Sequence, residues 1–204
     1  MIRLHARNYK LVILIIAFHV ILAITVRTVF AAAYKIPSAS MYPTLQVGDQ
    51  ILVNKTAYGL REPFVRTCLA WCVSPQKGDV IVFVLPQEPS KDFIKRVIGT
   101  PGDLVEIKNK QVILNGEVVT ELYARFEDDY PFSESPDVLT RYGPTRVPED
   151  KLFVLGDNRN NSYDSRFWGF VDLDDVRGRA SLIYWSWNSQ DKKVRWARIG
   201  KTIQ

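Results

Sequence analysis

The feature that most constrains the fold is an apolar run near the N-terminus. Residues 11–26 contain a single titratable side chain, His19. As a helix this run rises about 24 Å, short of the ~30 Å hydrocarbon core of a bilayer. Extension through Arg27 to residue 33 gives roughly 34 Å and places Arg27 near the far interface, where its long side chain can reach head groups. We therefore expect a transmembrane anchor over residues 11–33.

The charges around this run predict its orientation. Arg3, Arg7 and Lys10 precede it, and no Asp or Glu occurs before Asp49. Basic residues favour the cytoplasmic side, so residues 1–10 are expected in the cytoplasm and residues 34–204 on the outer (periplasmic, extracellular or lumenal) face of a cell membrane crossed once. The alternative is a cleavable secretory signal, because residues 31–33 are three alanines that fit a cleavage site. The length of the run and Arg27 favour the anchor.

After residue 34 the pattern changes to short β-branched segments separated by turns. They lie at residues 50–53, 80–84, 104–107, 111–114, 151–155 and 180–185. Such segments are typical of strands, and Asn115-Gly116 is a strong hairpin turn. No amphipathic helix of 12 residues is expected beyond the anchor. The pattern predicts a mostly β, antiparallel fold.

Residues 57–76 interrupt this order with an apolar, hairpin-like insertion. Trp71 could contact the bilayer interface or pack on its own domain, and the sequence favours neither. Cys68 and Cys72, the two cysteines of the chain, could form a disulfide or remain thiols. For the tryptophans near the C-terminus, Trp185, Trp187 and Trp196, core packing is favoured.

Composition narrows the chemistry. The net charge of +5 comes from basic residues scattered among acidic ones, so a nucleic-acid partner is not expected. Both histidines, His5 and His19, precede residue 34. A serine nucleophile in the following domain would therefore need another base, with lysine the leading candidate. A Cys/His zinc site is not available either, and we expect no metal and no cofactor.

Three segments carry candidate chemistry. Residues 37–45 read Pro-Ser-Ala-Ser-Met-Tyr-Pro-Thr-Leu, residues 92–103 hold Lys95 in an apolar strand and then a Pro-Gly-Asp turn, and residues 156–166 begin Gly-Asp-Asn-Arg. Singly, each can be a turn or an exposed strand. If Lys95 is buried, loss of hydration lowers its pKa, so that its amine can accept a serine proton.

Together these segments resemble the bacterial type I signal peptidases (leader peptidases), membrane-bound Ser/Lys proteases that remove signal peptides from exported proteins. The resemblance covers nearly the whole chain. It implies that Ser40 is the nucleophile, Lys95 the general base and Ser38 a hydroxyl that joins the Ser40 backbone N–H in the oxyanion hole. It also implies that Ser162 orients the lysine amine and that Asp164 and Arg166 form a supporting pair; Arg96 is expected to be structural.

The resemblance further implies how substrates bind. The preprotein adds as a strand between the loop that holds Ser40 and the strand that holds Lys95. Bulky apolar pockets then select Ala-X-Ala by excluding larger side chains. The residues expected to line this site are Tyr34, Ile36, Pro37, Met41, Leu45, Ile51, Val82, Asp92, Phe93 and Ile94. Residues 34–204 would be the peptidase domain, with 104–152 a reduced second β subdomain. The expected partners are signal-peptide-bearing preproteins and the lipid bilayer, and the chain is expected to be monomeric.

Two other functions fit parts of the pattern. A self-processing Ser/Lys protease of the repressor-cleavage type shares the chemistry, but those proteins are soluble, so the anchor argues against it. A membrane-tethered β-domain that binds exported chains without cutting them would not depend on Ser40 or Lys95. A separate hypothesis is that the alanines at residues 31–33 are cleaved by another copy of the chain.

Overall fold

The computed structural model describes residues 2–61, 68–85, 87–126 and 136–204. Helix α1 (Ile2–Val29) precedes a domain built mainly of antiparallel strands. Strand β1 (Ala31–Lys35) follows at once, so the predicted anchor end at residue 33 is wrong. The physical reason is tertiary: these residues pair with β2 (Asp49–Asn54), from Ala31 opposite Asn54 to Lys35 opposite Gln50. Within the described part of the chain, no helix is both long and apolar enough to span a bilayer.

The other strands lie in three sheets. They are β3 (Leu60–Arg61), β4 (Cys68–Ala70), β5 (Val80–Leu85), β6 (Glu88–Gly99), β7 (Leu104–Lys108), β8 (Gln111–Leu114), β9 (Glu117–Val118), β10 (Arg141–Arg146), β11 (Lys151–Leu155), β12 (Val171–Asp172), β13 (Val176–Asn188) and β14 (Lys193–Val194). The main sheet has the order β1-β2-β13-β5-β6-β11-β12, with β14 paired to β13. The six predicted strands and the mostly antiparallel fold are confirmed.

A smaller sheet has the order β10-β7-β8-β9 and falls within the predicted second subdomain, part of which (127–135) lies outside the described residues. Strands β3 and β4 form a third, two-stranded sheet inside the predicted insertion, whose residues 62–67 also lie outside the described residues. There Cys72 is disulfide-bonded, which answers the question that the sequence left open. Beyond α1, the α-helices of the described ranges are α2 (Pro136–Thr140) and α3 (Ser165–Trp168), each shorter than 12 residues.

The hydrophobic core determines where the loop between β1 and β2 lies. Ile36, Met41 and Leu45 from this loop are buried in one cluster with Ile51 and Val82 from the main sheet. The loop, residues 36–48, is called the serine loop below. These three side chains hold the loop against the sheet, whereas Ser38 of the same loop remains exposed. The C-terminal tryptophans differ from expectation, because Trp187 and Trp196 are exposed rather than packed in the core.

Candidate active site

Ser40 and Lys95 meet in the structure. Ser40 lies in the serine loop, and Lys95 lies in β6, opposite Ile81 of β5. The Lys95 amine donates a hydrogen bond of 2.9 Å to Ser40 Oγ and one of 3.1 Å to the Ile94 carbonyl. Only 8% of Ser40 and 4% of Lys95 is exposed to solvent. A serine hydroxyl and a lysine amine are thus in direct contact in a site that excludes most water.

Burial sets the protonation of this lysine. It lowers the pKa of Lys95 from 10.5 to about 8, because the ammonium form loses its hydration. The Asp164 carboxylate acts in the opposite direction, and the Arg166 guanidinium adds to the lowering. An appreciable fraction of the amine is therefore neutral near pH 8 and can accept a proton from Ser40.

The surroundings of Ser40 are polar on two sides. Ser38 Oγ lies 3.4 Å from Ser40 Oγ, and Ser38 is exposed, so a ligand can approach it. On the other side, the backbone N–H of Asn158 donates to the Ser40 carbonyl at 3.0 Å. That bond ties the serine loop to the segment after β11, which begins at Gly156. The two predicted hydroxyls, of Ser38 and Ser40, are therefore neighbours.

Asp164 and Arg166 form a buried ion pair behind the lysine. Arg166 Nε and Nη2 each donate to the Asp164 carboxylate at 2.8 Å, and the Gly156 N–H donates to it at 3.1 Å. Burial raises the pKa of Asp164, but the Arg166 charge and these hydrogen bonds outweigh it and hold that pKa below its ordinary value. Asp164 also caps the N-terminus of α3. The structure thus pairs the two residues near Lys95.

Ser162 does not make the expected hydrogen bond to Lys95. Its side chain is fully buried, and its Oγ atom makes no hydrogen bond of ordinary geometry among the described residues; its hydroxyl acts only through a weaker contact with the Asp164 carboxylate, whose pKa it helps to lower. The Lys95 amine donates instead to Ser40 and the Ile94 carbonyl. Ser162 packs so tightly that a Cβ atom on Gly156 would lie 2.2 Å from its Oγ.

Most of the predicted substrate-binding residues share one face of the main sheet. Tyr34 and Ile94 pack against the core cluster that contains Ile36, Met41, Leu45, Ile51 and Val82. Pro37 is exposed on a cavity that it shares with Trp185 and Trp187. Asp92 is half-exposed, 3.9 Å from Arg177, and its charge adds to the effect of burial in raising the pKa of Tyr34.

Phe93 is not grouped with the others. It packs against the second core cluster, and its ring stacks on Phe83 with 6.0 Å between the centroids. Neighbouring side chains of a strand point to opposite faces, so Phe93 and Ile94 of β6 lie on opposite faces of the sheet. That both residues line the substrate site stays a prediction.

Sequence reasoning missed the residue that connects the two halves of the site. Asp157 accepts two hydrogen bonds from the Arg96 guanidinium, at 2.8 and 2.7 Å, and a third of 2.5 Å from the Thr44 hydroxyl of the serine loop. Arg96 is the residue after Lys95, and these buried hydrogen bonds fit the structural role expected of it. The signal available in the sequence was a Gly-Asp pair directly after a buried strand, β11. No group of three potential metal ligands occurs within the described ranges.

Comparison with known proteins agrees with the resemblance read from the motifs. The family model described as signal peptidase, peptidase S26, matches residues 9–185. Signal peptidase I of Leptolyngbya laminosa is 41% identical over 180 residues, which cover 85% of this chain and 78% of that protein. The probable signal peptidase I-2 of Synechocystis sp. is 42% identical over 171 residues, covering 81% of this chain and 68% of that protein.

A solved signal peptidase I from Enterococcus faecalis V583 has 31% identity and a TM-score of 0.43, over 52% of this chain and 97% of that one. The family model covers far more than half of the chain, and two curated relatives exceed 40% identity. The chain therefore belongs to the signal peptidase family, peptidase S26, and is a serine peptidase that removes signal peptides.

Proposed function

We propose that this peptidase cleaves preproteins with Ser40 as nucleophile and Lys95 as general base. The observation that carries the proposal is the 2.9 Å contact between the Lys95 amine and Ser40 Oγ. The neutral amine takes the hydroxyl proton while Oγ attacks the scissile carbonyl. The resulting ammonium returns a proton to the leaving amine, and water then hydrolyses the acyl-enzyme by the same exchange with Lys95.

Ser38 is proposed to stabilise the charge that develops on the substrate oxygen. Its hydroxyl is close to Ser40 Oγ and accessible from solvent, as a second donor beside the Ser40 N–H must be. One well-placed donor of this kind contributes about 3 kcal/mol to the transition state. Asp164 and Arg166 are proposed to help set the pKa of Lys95, since the charges of both residues act on it.

The substrate is proposed to bind as an added strand between β1 and the first half of β6. Side chains that point inward from this strand meet Tyr34, Ile36 and Ile94, which adjoin the densely packed first core cluster. Shallow, apolar walls admit alanine or glycine and exclude larger groups. This supports cleavage after Ala-X-Ala sites.

Helix α1 is proposed to anchor the peptidase in the membrane, with its N-terminus in the cytoplasm. Large apolar side chains are exposed along it at residues 11–16 and again at Phe18, Val20, Ile21 and Leu22. Contact with lipid would bury them, and basic residues at the start of the chain favour this orientation. The active site would then work near the outer surface of the bilayer, because Ser40 follows the helix closely.

The roles of Ser40 and Lys95, together called the Ser/Lys dyad, are tested with the purified full chain and a preprotein that carries an Ala-X-Ala site. Ser40→Ala and Lys95→Ala should each abolish cleavage without loss of the fold. Matched controls are Ser181→Ala, in β13, and Lys91→Ala, an exposed lysine of the same strand as Lys95; both should cleave normally. Turnover that persists in Ser40→Ala or Lys95→Ala would rule out this mechanism.

A further inference from the structure

The segment Glu121 to Arg125, between the small sheet and the undescribed residues 127–135, packs directly against the segment after β11. The Arg125 N–H donates to the Asp157 carbonyl at 2.7 Å, and the Arg159 N–H donates to the Arg125 carbonyl at 2.8 Å. Arg125 and Asn158 are thus paired as in a parallel bridge. Residues 121–125 are called the latch segment below.

A buried ion pair strengthens this contact. Arg159 Nη1 and Nη2 donate to the two carboxylate oxygens of Glu121 at 2.6 and 2.5 Å, and both side chains are almost completely shielded from water. Arg159 Nε also donates to the Gly156 carbonyl at 3.1 Å. Planar, two-point pairs of this kind fix geometry as well as charge. Glu121 thereby holds the Arg159 side chain against the Gly156 carbonyl, in the segment after β11.

Tyr123 links the same segment to the strand of the proposed base. Its ring lies 4.0 Å from the centre of the Arg96 guanidinium, a distance typical of a cation–π contact. Its hydroxyl donates to Glu121 at 3.0 Å. Burial raises the pKa of Tyr123, so this hydroxyl stays protonated and remains a donor. Arg96 is therefore held between the Tyr123 ring and the Asp157 carboxylate.

The residues that the latch segment contacts after β11 also contact the serine loop, which holds Ser40. The Asn158 N–H donates to the Ser40 carbonyl, and the Asp157 carboxylate accepts from Thr44 of the serine loop. Residues 157–159 therefore have the latch segment on one side and the serine loop on the other. We propose that the latch segment is a positioning element through which the small β subdomain keeps the side chains of Ser40 and Lys95 in contact. This rests on the roles proposed for those two residues.

This role predicts which kinetic constant responds. The proposed substrate strand lies between β1 and β6, and none of the latch contacts described above involves a residue assigned to that site. Loss of the latch should therefore lower kcat and leave KM nearly unchanged. A displacement of about 1 Å at reacting atoms is enough for an effect of up to roughly a hundredfold.

The test compares Glu121→Gln, Tyr123→Leu and Tyr123→Phe in the full chain, assayed at saturating preprotein well below each melting temperature. Glu121→Gln and Tyr123→Leu should lower kcat about tenfold to a hundredfold, with KM changed by no more than about twofold. Tyr123→Phe keeps the ring over Arg96 and should retain most of the kcat. Leu122→Ala, at a side chain that is 85% exposed, is the matched control and should be unchanged.

Wild-type kcat in both Glu121→Gln and Tyr123→Leu would overturn the proposal, as would equal losses in Tyr123→Leu and Leu122→Ala. Should Glu121→Gln fail to fold, the comparison of Tyr123→Leu with Tyr123→Phe decides. Ser40→Ala belongs in the same series. Turnover in that variant overturns the dyad itself, whereas an inactive Ser40→Ala with unaffected latch variants overturns only the latch.

Discussion

Arg96 and Asp157, 61 residues apart in the chain, form a fully buried two-point ion pair between the strand of Lys95 and the segment that supports Ser40. Because Asp157 also accepts a hydrogen bond from Thr44, one carboxylate joins the neighbour of the proposed base to the loop of the proposed nucleophile. Stability and catalytic geometry therefore depend on the same contact.

Asp157→Ala should be strongly destabilising and should lower activity. It leaves the Arg96 cation buried without its counter-charge, which typically costs about 3–5 kcal/mol. Urea denaturation measures the loss. The control is Asp172→Ala, which removes a half-exposed partner of Lys151 and should cost no more than about 1 kcal/mol. Similar small losses in the two variants would contradict the structural role of Asp157.

Lys95 should reduce stability at neutral pH, and Lys95→Met should remove that cost. Below about pH 8 the lysine is protonated in both folded and unfolded chains, so folding buries a cation. Between about 8 and 10.5 only the unfolded chain keeps the proton, and wild-type stability rises with pH. Lys95→Met should therefore be more stable at pH 7, by about 3 kcal/mol, with the difference shrinking toward pH 10.

Urea denaturation at pH 7 and pH 10 measures this difference, with Lys91→Met as the control. Lys91 is exposed on the same strand, so its replacement should show no such pH-dependent gain. A stability difference between Lys95→Met and wild type that stays constant across this range would show that the pKa of Lys95 is not lowered by burial.

The pH dependence of cleavage should report the same group. Activity should rise with pH through a midpoint near 8, because the neutral amine of Lys95 is the active form. The Asp164 carboxylate raises this pKa and the Arg166 guanidinium lowers it. Asp164→Asn should therefore move the midpoint to lower pH, and Arg166→Gln to higher pH. Shifts in the same direction for both variants, each shown to be folded, would contradict this assignment.

Local sequence was enough to predict six of the strands, but not strand β1. Runs of β-branched residues predicted β5, β8 and β11 because the preference for extended backbone is local. Strand β1 was missed, since three alanines continue a helical pattern and only pairing with β2 makes them extended. The exposure of Trp196 also depends on tertiary packing, so composition could not predict it.

The candidate site was predictable where residue types left little choice. The lack of histidine after residue 34 pointed to lysine, and the structure brings together Ser40 and Lys95, which are 55 positions apart in sequence. The Asp157 contact with Arg96 was not predictable, because either residue alone fits a turn or an exposed strand. Their partnership arises from sheet packing, which a single sequence does not reveal.

Gly156→Ala should damage the site more than a glycine replacement elsewhere. A Cβ atom there would lie 2.2 Å from Ser162 Oγ and 2.5 Å from the Ser40 carbonyl oxygen, so Ser40 or the segment after β11 must move. We expect a large loss of kcat, of up to roughly a hundredfold. Gly116→Ala is the control: it strains a left-handed turn residue but meets no atom within 4 Å. Equal effects on kcat would mean that the close packing at Gly156 does not matter.

Ser162→Ala should separate stability from catalysis. Because the Ser162 hydroxyl acts on the Asp164 carboxylate without a hydrogen bond of ordinary geometry, its removal should lower the free energy of unfolding by less than about 1 kcal/mol. Ser165→Ala is the matched control, since the fully buried Ser165 hydroxyl accepts a hydrogen bond from the Val154 N–H at 3.0 Å. That variant strands a buried donor and should lose about 1–3 kcal/mol.

Activity then decides the role of Ser162. If its hydroxyl orients the Lys95 amine during turnover, Ser162→Ala should lower kcat while remaining nearly as stable as the wild type, because the hydrogen bond to the amine would form only in the working complex. Denaturation curves and kcat are measured on the same preparations. Wild-type kcat in Ser162→Ala would show that the lysine is oriented by Ser40 and the Ile94 carbonyl alone, the two acceptors that it already contacts.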